Sequence, residues 1–493
     1  MRKLLNVLFF VVFCGVSINA QTEFEKYFED KTMRIDYHHT GDSEREFVSL
    51  DRIYVYGVWA GGMVNLIDRF DNGAYYYKIY DAEDDKLIYS KGFDSYFKEY
   101  QTTEEAATGI LRTYHESAII PAPKKKIKFV LEKRDRSNRL NEIYSTVIDP
   151  EDVTVVKKEF ADSGAKIIKS HVAGGPHECL DVLILGDGYS IKEEEKFRKD
   201  LNHYTELMMN FPPYNQFKDK INITGIYKAS EESGIDEPGA GIFKNNLLGT
   251  TFYSLGSERY VLTEDNKAMR DLAALVPYDA IYIMCNTERY GGGGIYNFYC
   301  TFTSDNQFSD YIFLHEFGHS FGGLADEYYT SSVAYNEFYP QGIEPVEPNI
   351  TRLLDKDNIK WKSLLSPGIE LPTPWEKEEF DKMDLQWQKE RAELNKQIAR
   401  LKKMKAPAEE INKLQEEYNR KDKEHSAEVD KYLRNSKYWN KIGAFEGAGY
   451  SSKGMYRPML DCLMFSKGTK PFCKVCEEHV KKVIGFYTDN VLK

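Results

Sequence analysis

Two histidines four residues apart, His315 and His319, with Glu316 beside the first, carry the clearest chemical signal in this 493-residue sequence. On a helix, positions i and i+4 share one face, so both imidazoles can reach one ion about 2.0–2.1 Å away. Glu316 projects from the next position, where a carboxylate can accept a proton from water activated by that ion. Two ligands are too few for a catalytic zinc, which usually has three protein ligands and an open position. Downstream runs Ser320-Phe321-Gly322-Gly323-Leu324-Ala325-Asp326-Glu327-Tyr328. Gly322 and Gly323 can end the helix and reverse the chain, and a carboxylate beyond the reversal can fold back onto the metal. Asp326 is the expected third ligand because a short side chain suits a tight turn, with Glu327 as the alternative. A local turn or cap role is the plainer reading of Asp326. Whichever carboxylate does not ligate is expected to brace a ligand or a neighbouring loop.

Such a site needs a sheet and a helix that hold it rigidly. The apolar run Tyr311-Ile312-Phe313-Leu314 leads into His315. Upstream, Leu180 to Leu185 is nearly continuously apolar, as a sheet-interior strand is. Gly186-Asp187-Gly188-Tyr189 then turns the chain. Ser190 with Glu193 forms a capping box that opens a helix carrying Phe197, Leu201 and Tyr204 on one face. Further strands are expected at Ile221 to Ile226 and Ala280 to Met284, ahead of Gly291 to Gly294. Strands alternating with helices indicate an α/β domain over residues 175–490. Residues 21–170 read differently: short alternating runs at Arg52 to Val58, Ala74 to Tyr80 and Lys126 to Leu131, separated by turn formers, predict an all-β sandwich. Within the second domain, residues 375–435 space Phe380, Met383, Trp387, Leu394, Ile398 and Leu401 by threes and fours. Pro407 breaks the run, and Ile411, Leu414, Tyr418, His425, Val429 and Tyr432 repeat it. That pattern predicts a helical-hairpin insertion.

Arg2 and Lys3, an apolar run from Leu4 to Val16, and Ser17-Ile18-Asn19-Ala20 read as a secretory signal cleaved after Ala20. The run is shorter than the roughly 20 residues that span a bilayer, and Phe13 argues against acylation at Cys14. The expected location is therefore secreted, periplasmic or cell-surface, with no integral membrane segment after cleavage. A net charge of -12 argues against a nucleic-acid partner, which would select a basic face. Of seven cysteines, Cys14 leaves with the signal, and the remaining six permit disulfides in an exported protein. Cys285 and Cys300, which bracket the Gly-rich loop, are the expected pair. Cys473-Lys474-Val475-Cys476 is by itself a weak zinc or redox signal, and a structural role is expected for it.

The segment LHEFGHSFGGLADEY, Leu314 to Tyr328, resembles the IgA-protease family of bacterial metallopeptidases. Matching blocks occur in order: Leu183 to Tyr189, Ser233 to Asp236, Arg289 to Gly293, Phe445 to Met464 and Phe472 to Cys476. The resemblance covers roughly residues 175–490 apart from the helical hairpin, and the first 150 mature residues resemble the N-terminal β-sandwich domain that accompanies the family. It implies a metzincin-like catalytic domain, zinc on His315, His319 and an acidic third ligand, Glu316 as general base, and a methionine turn beneath the metal. Met464 matches that turn best and Met459 second. The wider metzincin pattern places its third ligand six residues after the second histidine; that position is Ala325, which cannot ligate. Tyr456 and Arg457 are candidates for stabilising the oxyanion, and Gly291 to Gly294 for pairing with an extended substrate. The implied function is zinc-dependent endopeptidase activity on an extracellular protein or glycoprotein such as an immunoglobulin or mucin. A surface binding protein with a vestigial metal site and a hydrolase of non-peptide bonds are the competing classes; intact His315, Glu316 and His319 speak against the first.

Overall fold

The structure is a computed structural model describing residues 23–330 and 339–488. The expected leader, residues 1–20, lies outside the described residues. Runs that alternate aromatic or β-branched residues with polar ones form strands when one face can be buried. The N-terminal region does this eight times: β1 (Phe28–Gly41), β2 (Glu46–Tyr56), β3 (Tyr75–Asp81), β4 (Leu87–Phe93), β5 (Arg112–Pro123), β6 (Ile127–Arg134), β7 (Leu140–Ile148) and β8 (Val156–Lys157). They form two four-stranded sheets, ordered β5-β1-β2-β8 and β4-β3-β6-β7. Met33, Ile35 and Tyr37 from one sheet meet Tyr75, Ile79, Phe129 and Leu131 from the other in a common core. Two short helices, α1 (Tyr96–Gln101) and α2 (Glu104–Ala107), lie between β4 and β5.

The second region is built on a six-stranded sheet of order β13-β14-β12-β10-β11-β9. Its elements are β9 (Lys166–His171), β10 (Leu180–Asp187), α3 (Glu194–Asn210), β11 (Ile221–Tyr227), α4 (Asn266–Ala273), β12 (Ala280–Cys285), β13 (Gly292–Ile295), β14 (Tyr299–Thr303) and α5 (Ser309–Ser320). The inner four strands are parallel and the two edges antiparallel. β9 straddles residue 170, the expected end of the sandwich, yet it pairs with β11, so the second sheet takes up its first strand before residue 175. The Ser190–Glu193 capping box closes a single 3-10 turn directly ahead of α3.

β10 is apolar throughout because both of its faces are covered. Val182 and Ile184 join Phe197 and Leu201 of α3 and Phe313 and Phe317 of α5. Leu183 and Leu185 join Met269 and Leu272 of α4 and also Tyr96 and Phe97 of α1. The N-terminal region thus shares a core with the far face of the second sheet. Each fully buried Leu, Phe or Met contributes roughly 1.5–3 kcal/mol to that junction. At the end of β10, the Asp187 carboxylate accepts the backbone N–H groups of Gly188, Leu247, Leu248 and Thr250, which fixes the loop behind the strand.

The expected Cys285–Cys300 disulfide is not formed. Cys300 stands opposite Tyr282 and Cys285 opposite Thr303, and the two thiols enter separate cores on opposite faces of the sheet. All six cysteines among the described residues are free and buried.

The chain then forms α6 (Lys377–Lys403) and α7 (Ala408–Arg434), the hairpin β15 (Phe445–Ala448) and β16 (Ser451–Arg457), and finally α8 (Lys474–Thr488). At their base, Phe380, Val429 and Leu433 enter the main core. Further out, Trp387, Leu394, Ile398 and Tyr418 make a small core of their own. No helix among the described residues is long and apolar enough to cross a membrane.

Candidate metal centre

α5 leaves the sheet carrying His315, Glu316 and His319 on the side that faces β13. The strand can lie this close because it is glycine. A Cβ on Gly294 would stand 2.5 Å from the Glu316 carbonyl oxygen, and one on Gly292 would stand 3.0 Å from Glu316 Oε1. The glycines therefore seat the helix and its carboxylate against the strand. They do not leave the whole edge open for substrate: Gly292 donates to Arg259 O and accepts from Val261 N, both at 3.3 Å.

α5 stops at Ser320, and Gly323, at a φ of +57°, reverses the chain. A left-handed φ of this kind carries no steric cost for glycine. Gly323 N–H donates to His319 O and Leu324 N–H to Gly318 O. The Leu324 carbonyl then accepts from His319 Nδ1 at 2.6 Å. The Leu463 carbonyl accepts from His315 Nδ1 at 3.0 Å. With both Nδ1 positions donating, both Nε2 atoms present lone pairs.

Those lone pairs converge. His315 Nε2 and His319 Nε2 are 3.1 Å apart, and Asp326 Oδ1 is 3.1 Å from each. Three acceptors so close repel unless a cation or proton lies between them. Tetrahedral zinc, with ligands at about 2.0–2.1 Å, requires ligand–ligand edges of about 3.3 Å. The donor set and its triangle fit such an ion. The triangle draws positive charge, as a proton or as a metal ion: against the opposing effect of burial, the Asp326 carboxylate holds the His319 imidazole up to about 9. Asp326 itself, despite burial, is held well below the usual carboxylate range by the two imidazoles. Burial raises the Glu316 carboxyl above its ordinary value, with the neighbouring imidazoles opposing.

Several bracing residues could not be foreseen. Tyr450 donates its hydroxyl to Asp326 Oδ2 from 124 positions away. Asn349 donates to Ala325 O and to Glu327 Oε1 and accepts Ala325 N–H, clamping the peptide that carries Asp326. Asn72, from the N-terminal region, donates to Gly323 O at 2.9 Å. Only the last has a sequence cue, the Asp71-Asn72-Gly73 turn, and that cue says nothing about its partner.

Glu327 points away from the triangle toward Cys476, 3.1 Å from its sulfur. Met464 lies under α5, its sulfur 2.7 Å from where a Cβ on Gly318 would be. Met459 instead accepts from Lys474 N–H. Arg457 is buried, donates to Gly447 O and Leu460 O, and stacks on Phe465 at 3.9 Å. Neither Arg457 nor Tyr456 lines the two cavities beside the triangle.

Those cavities meet at His315 and Glu316. One, of about 110 Å³, runs under the helical hairpin between Arg259, Tyr290, Trp387 and His425. The other, of about 100 Å³, lies between His319, Tyr328 and Tyr450 on one side and Asn72, Asp94 and Glu99 on the other. Arg259 and Tyr290 also line a larger cleft of about 720 Å³, roofed by Arg391, Ile398 and Lys402 of α6 and Tyr418 of α7. The roof is tied down by Lys402, whose ammonium lies 3.1 Å from Glu237.

The family profile described as IgA Peptidase M64 matches residues 168–484. The profile described as Peptidase M64 N-terminus matches residues 23–145. Among curated proteins none matches the chain.

Proposed function

The chain belongs to the IgA peptidase M64 family, and on that premise we propose that it is a secreted zinc-dependent endopeptidase whose metal ligands are His315, His319 and Asp326. Membership makes it a peptidase of a metallopeptidase family, acting on proteins. The reading of zinc rests on one observation above others: the three lone-pair donors at mutual distances of 3.1 Å. A divalent cation bound there supplies Lewis acidity, polarising the scissile carbonyl and acidifying water. Glu316 takes the proton from the attacking water and delivers it to the departing amine nitrogen. Burial, which raises the Glu316 carboxyl, strengthens it as the base that takes the proton from water. The carbonyls of Leu463 and Leu324 fix the imidazole tautomers, and Tyr450 fixes the carboxylate. We read the domain, residues 175–490, as metzincin-like, with Met464 beneath the site and residues 375–435 inserted. The signal-like residues 1–20 support export, and the family's description supports host immunoglobulins or similar glycoproteins as substrates.

Incubating a mixed pool of native serum and mucosal proteins with the enzyme, and sequencing the new termini, tests this reading. Wild type should generate termini that disappear with a chelator and return with zinc. Glu316→Ala should lower the rate by about 10²–10⁴-fold. Equal cleavage by variant and wild type would remove Glu316 from the mechanism, and no cleavage by wild type would leave a binding role as the better account.

A further inference from the structure

A second cluster of metal-binding side chains lies behind the first. Cys462, Cys473, Cys476 and Glu327 are all buried, and one ligand atom from each lies within 4.8 Å of the others. The Cys462 and Cys476 sulfurs are 3.9 Å apart. Glu327 Oε1 is 3.1 Å from the Cys476 sulfur and 3.7 Å from that of Cys473. Tetrahedral zinc with Zn–S of about 2.3 Å and Zn–O of about 2.0–2.2 Å needs S···S edges of about 3.8 Å and S···O edges of about 3.6 Å. Two of the three measured edges lie within about 0.1 Å of those values, and the third is shorter. A disulfide would instead require sulfurs at about 2.05 Å.

Independent observations also point to a cation. Glu327 Oε2 is buried with no hydrogen-bond partner among the described residues, an arrangement that is costly for a carboxylate unless something positive meets it. Backbone N–H groups point at the sulfurs, Cys473 N to Cys462 Sγ at 3.1 Å and Cys476 N to Cys473 Sγ at 3.5 Å, and such donors favour thiolates. The Cys-x-x-Cys pair sits at the start of α8, where the helix dipole favours negative charge. Buried Arg457, whose charge acts on Glu327, offsets part of the excess negative charge of three thiolates and a carboxylate around a divalent ion.

We propose that Cys462, Cys473, Cys476 and Glu327 bind a second zinc ion, closed and structural. The sequence shows only Cys473 and Cys476 at ligand spacing; the fold brings Cys462 from the methionine loop and Glu327 from the residue after Asp326. The site's position gives it a further role, which rests on the reading of Asp326 and His315 as catalytic ligands. Glu327 N–H donates to Met464 O at 2.8 Å, and Cys462 adjoins Leu463, whose carbonyl holds His315. The second ion therefore pins the Asp326 peptide, the methionine loop and α8 to one point.

Metal content and cobalt spectra of the full chain test the proposal. Wild type prepared with zinc should contain two ions per chain, and His315→Ala/His319→Ala one. After cobalt exchange, wild type and the histidine variant should both show a near-ultraviolet thiolate-to-cobalt charge-transfer band, which the histidine–carboxylate site cannot produce. Cys473→Ser/Cys476→Ser should lose the band and one ion. If that variant does not fold, alkylation of native wild type decides: Cys462, Cys473 and Cys476 should resist the reagent until a chelator strips the ion and then react, whereas labelling unaffected by the chelator overturns the site. A Cys462–Cys476 or Cys473–Cys476 disulfide, or a single ion with no charge-transfer band in wild type, overturns it. A thiolate band in a protein that cleaves nothing would count against the peptidase reading alone.

Discussion

At the scale of single residues, the proposed metal triangle of His315, His319 and Asp326 is held by groups outside it. Tyr450 is the clearest, because its hydroxyl faces the Asp326 oxygen that points away from the histidines. Tyr450→Phe keeps the ring and removes that bond. It should weaken zinc binding by about 10–100-fold, read by competition with a chromophoric chelator, while leaving the fold intact. The histidine pair and Glu316 could be read from the sequence because their geometry is local: helical spacing alone puts i and i+4 together. Asp326 was legible only through two glycines that reverse the chain. Tyr450, Asn349 and Asn72 were not legible, since nothing in their neighbourhoods specifies a contact 124 or 251 positions away. Arg457 illustrates the opposite error. Proximity in sequence to the methionine loop suggested an oxyanion role, whereas its guanidinium is used on carbonyls and an aromatic ring.

At the scale of elements, the strand–helix contact decides how deep the Glu316 carboxylate, the proposed general base, sits. The glycine run of β13 was visible in the sequence, but its purpose was not; close approach by a substrate strand and close approach by α5 demand the same absent side chains. Gly294→Ala would place a methyl carbon 2.5 Å from the Glu316 backbone oxygen. Backbone cannot swing aside as a side chain can, so β13 must move off α5. The variant should lose about 1–3 kcal/mol of stability, read as a lower urea midpoint, together with a fall in kcat. The strands of the sandwich and of the parallel sheet were predictable from period-two and continuous apolar patterns respectively. The boundary near residue 170 was harder to place: Ile167 and Ile168 of β9 are adjacent rather than alternating, so no local pattern marks the strand, and only the fold selects β11 as its partner.

At the scale of the whole molecule, a buried charged relay within the N-terminal region anchors the helix that packs against the peptidase unit. His39 lies between Glu116 and Glu46, at 2.9 and 2.7 Å, and Glu116 also accepts the backbone N–H of Phe97, which packs into the core shared with the second sheet. Burial opposes the imidazolium, but the two carboxylates more than compensate and raise it to about 8. A histidine raised from 6.5 to about 8 contributes stability that is complete below the lower value and vanishes as pH rises through the higher one, on the order of 2 kcal/mol. The melting temperature should therefore decline between about pH 6.5 and pH 8.5, and His39→Gln should flatten the decline. The hairpin roof has a consequence for the choice of scissile bonds. If substrate reaches Glu316 through the cleft of about 720 Å³, which is roofed by two helices and shares Arg259 and Tyr290 with the cavity at Glu316, slack, extended chain should enter and a folded module should not. Native multidomain substrates should be cut in their hinges and linkers, with intact modules released. Untethering the roof with Lys402→Ala should spread the cuts toward module edges, visible as a broader ladder of termini.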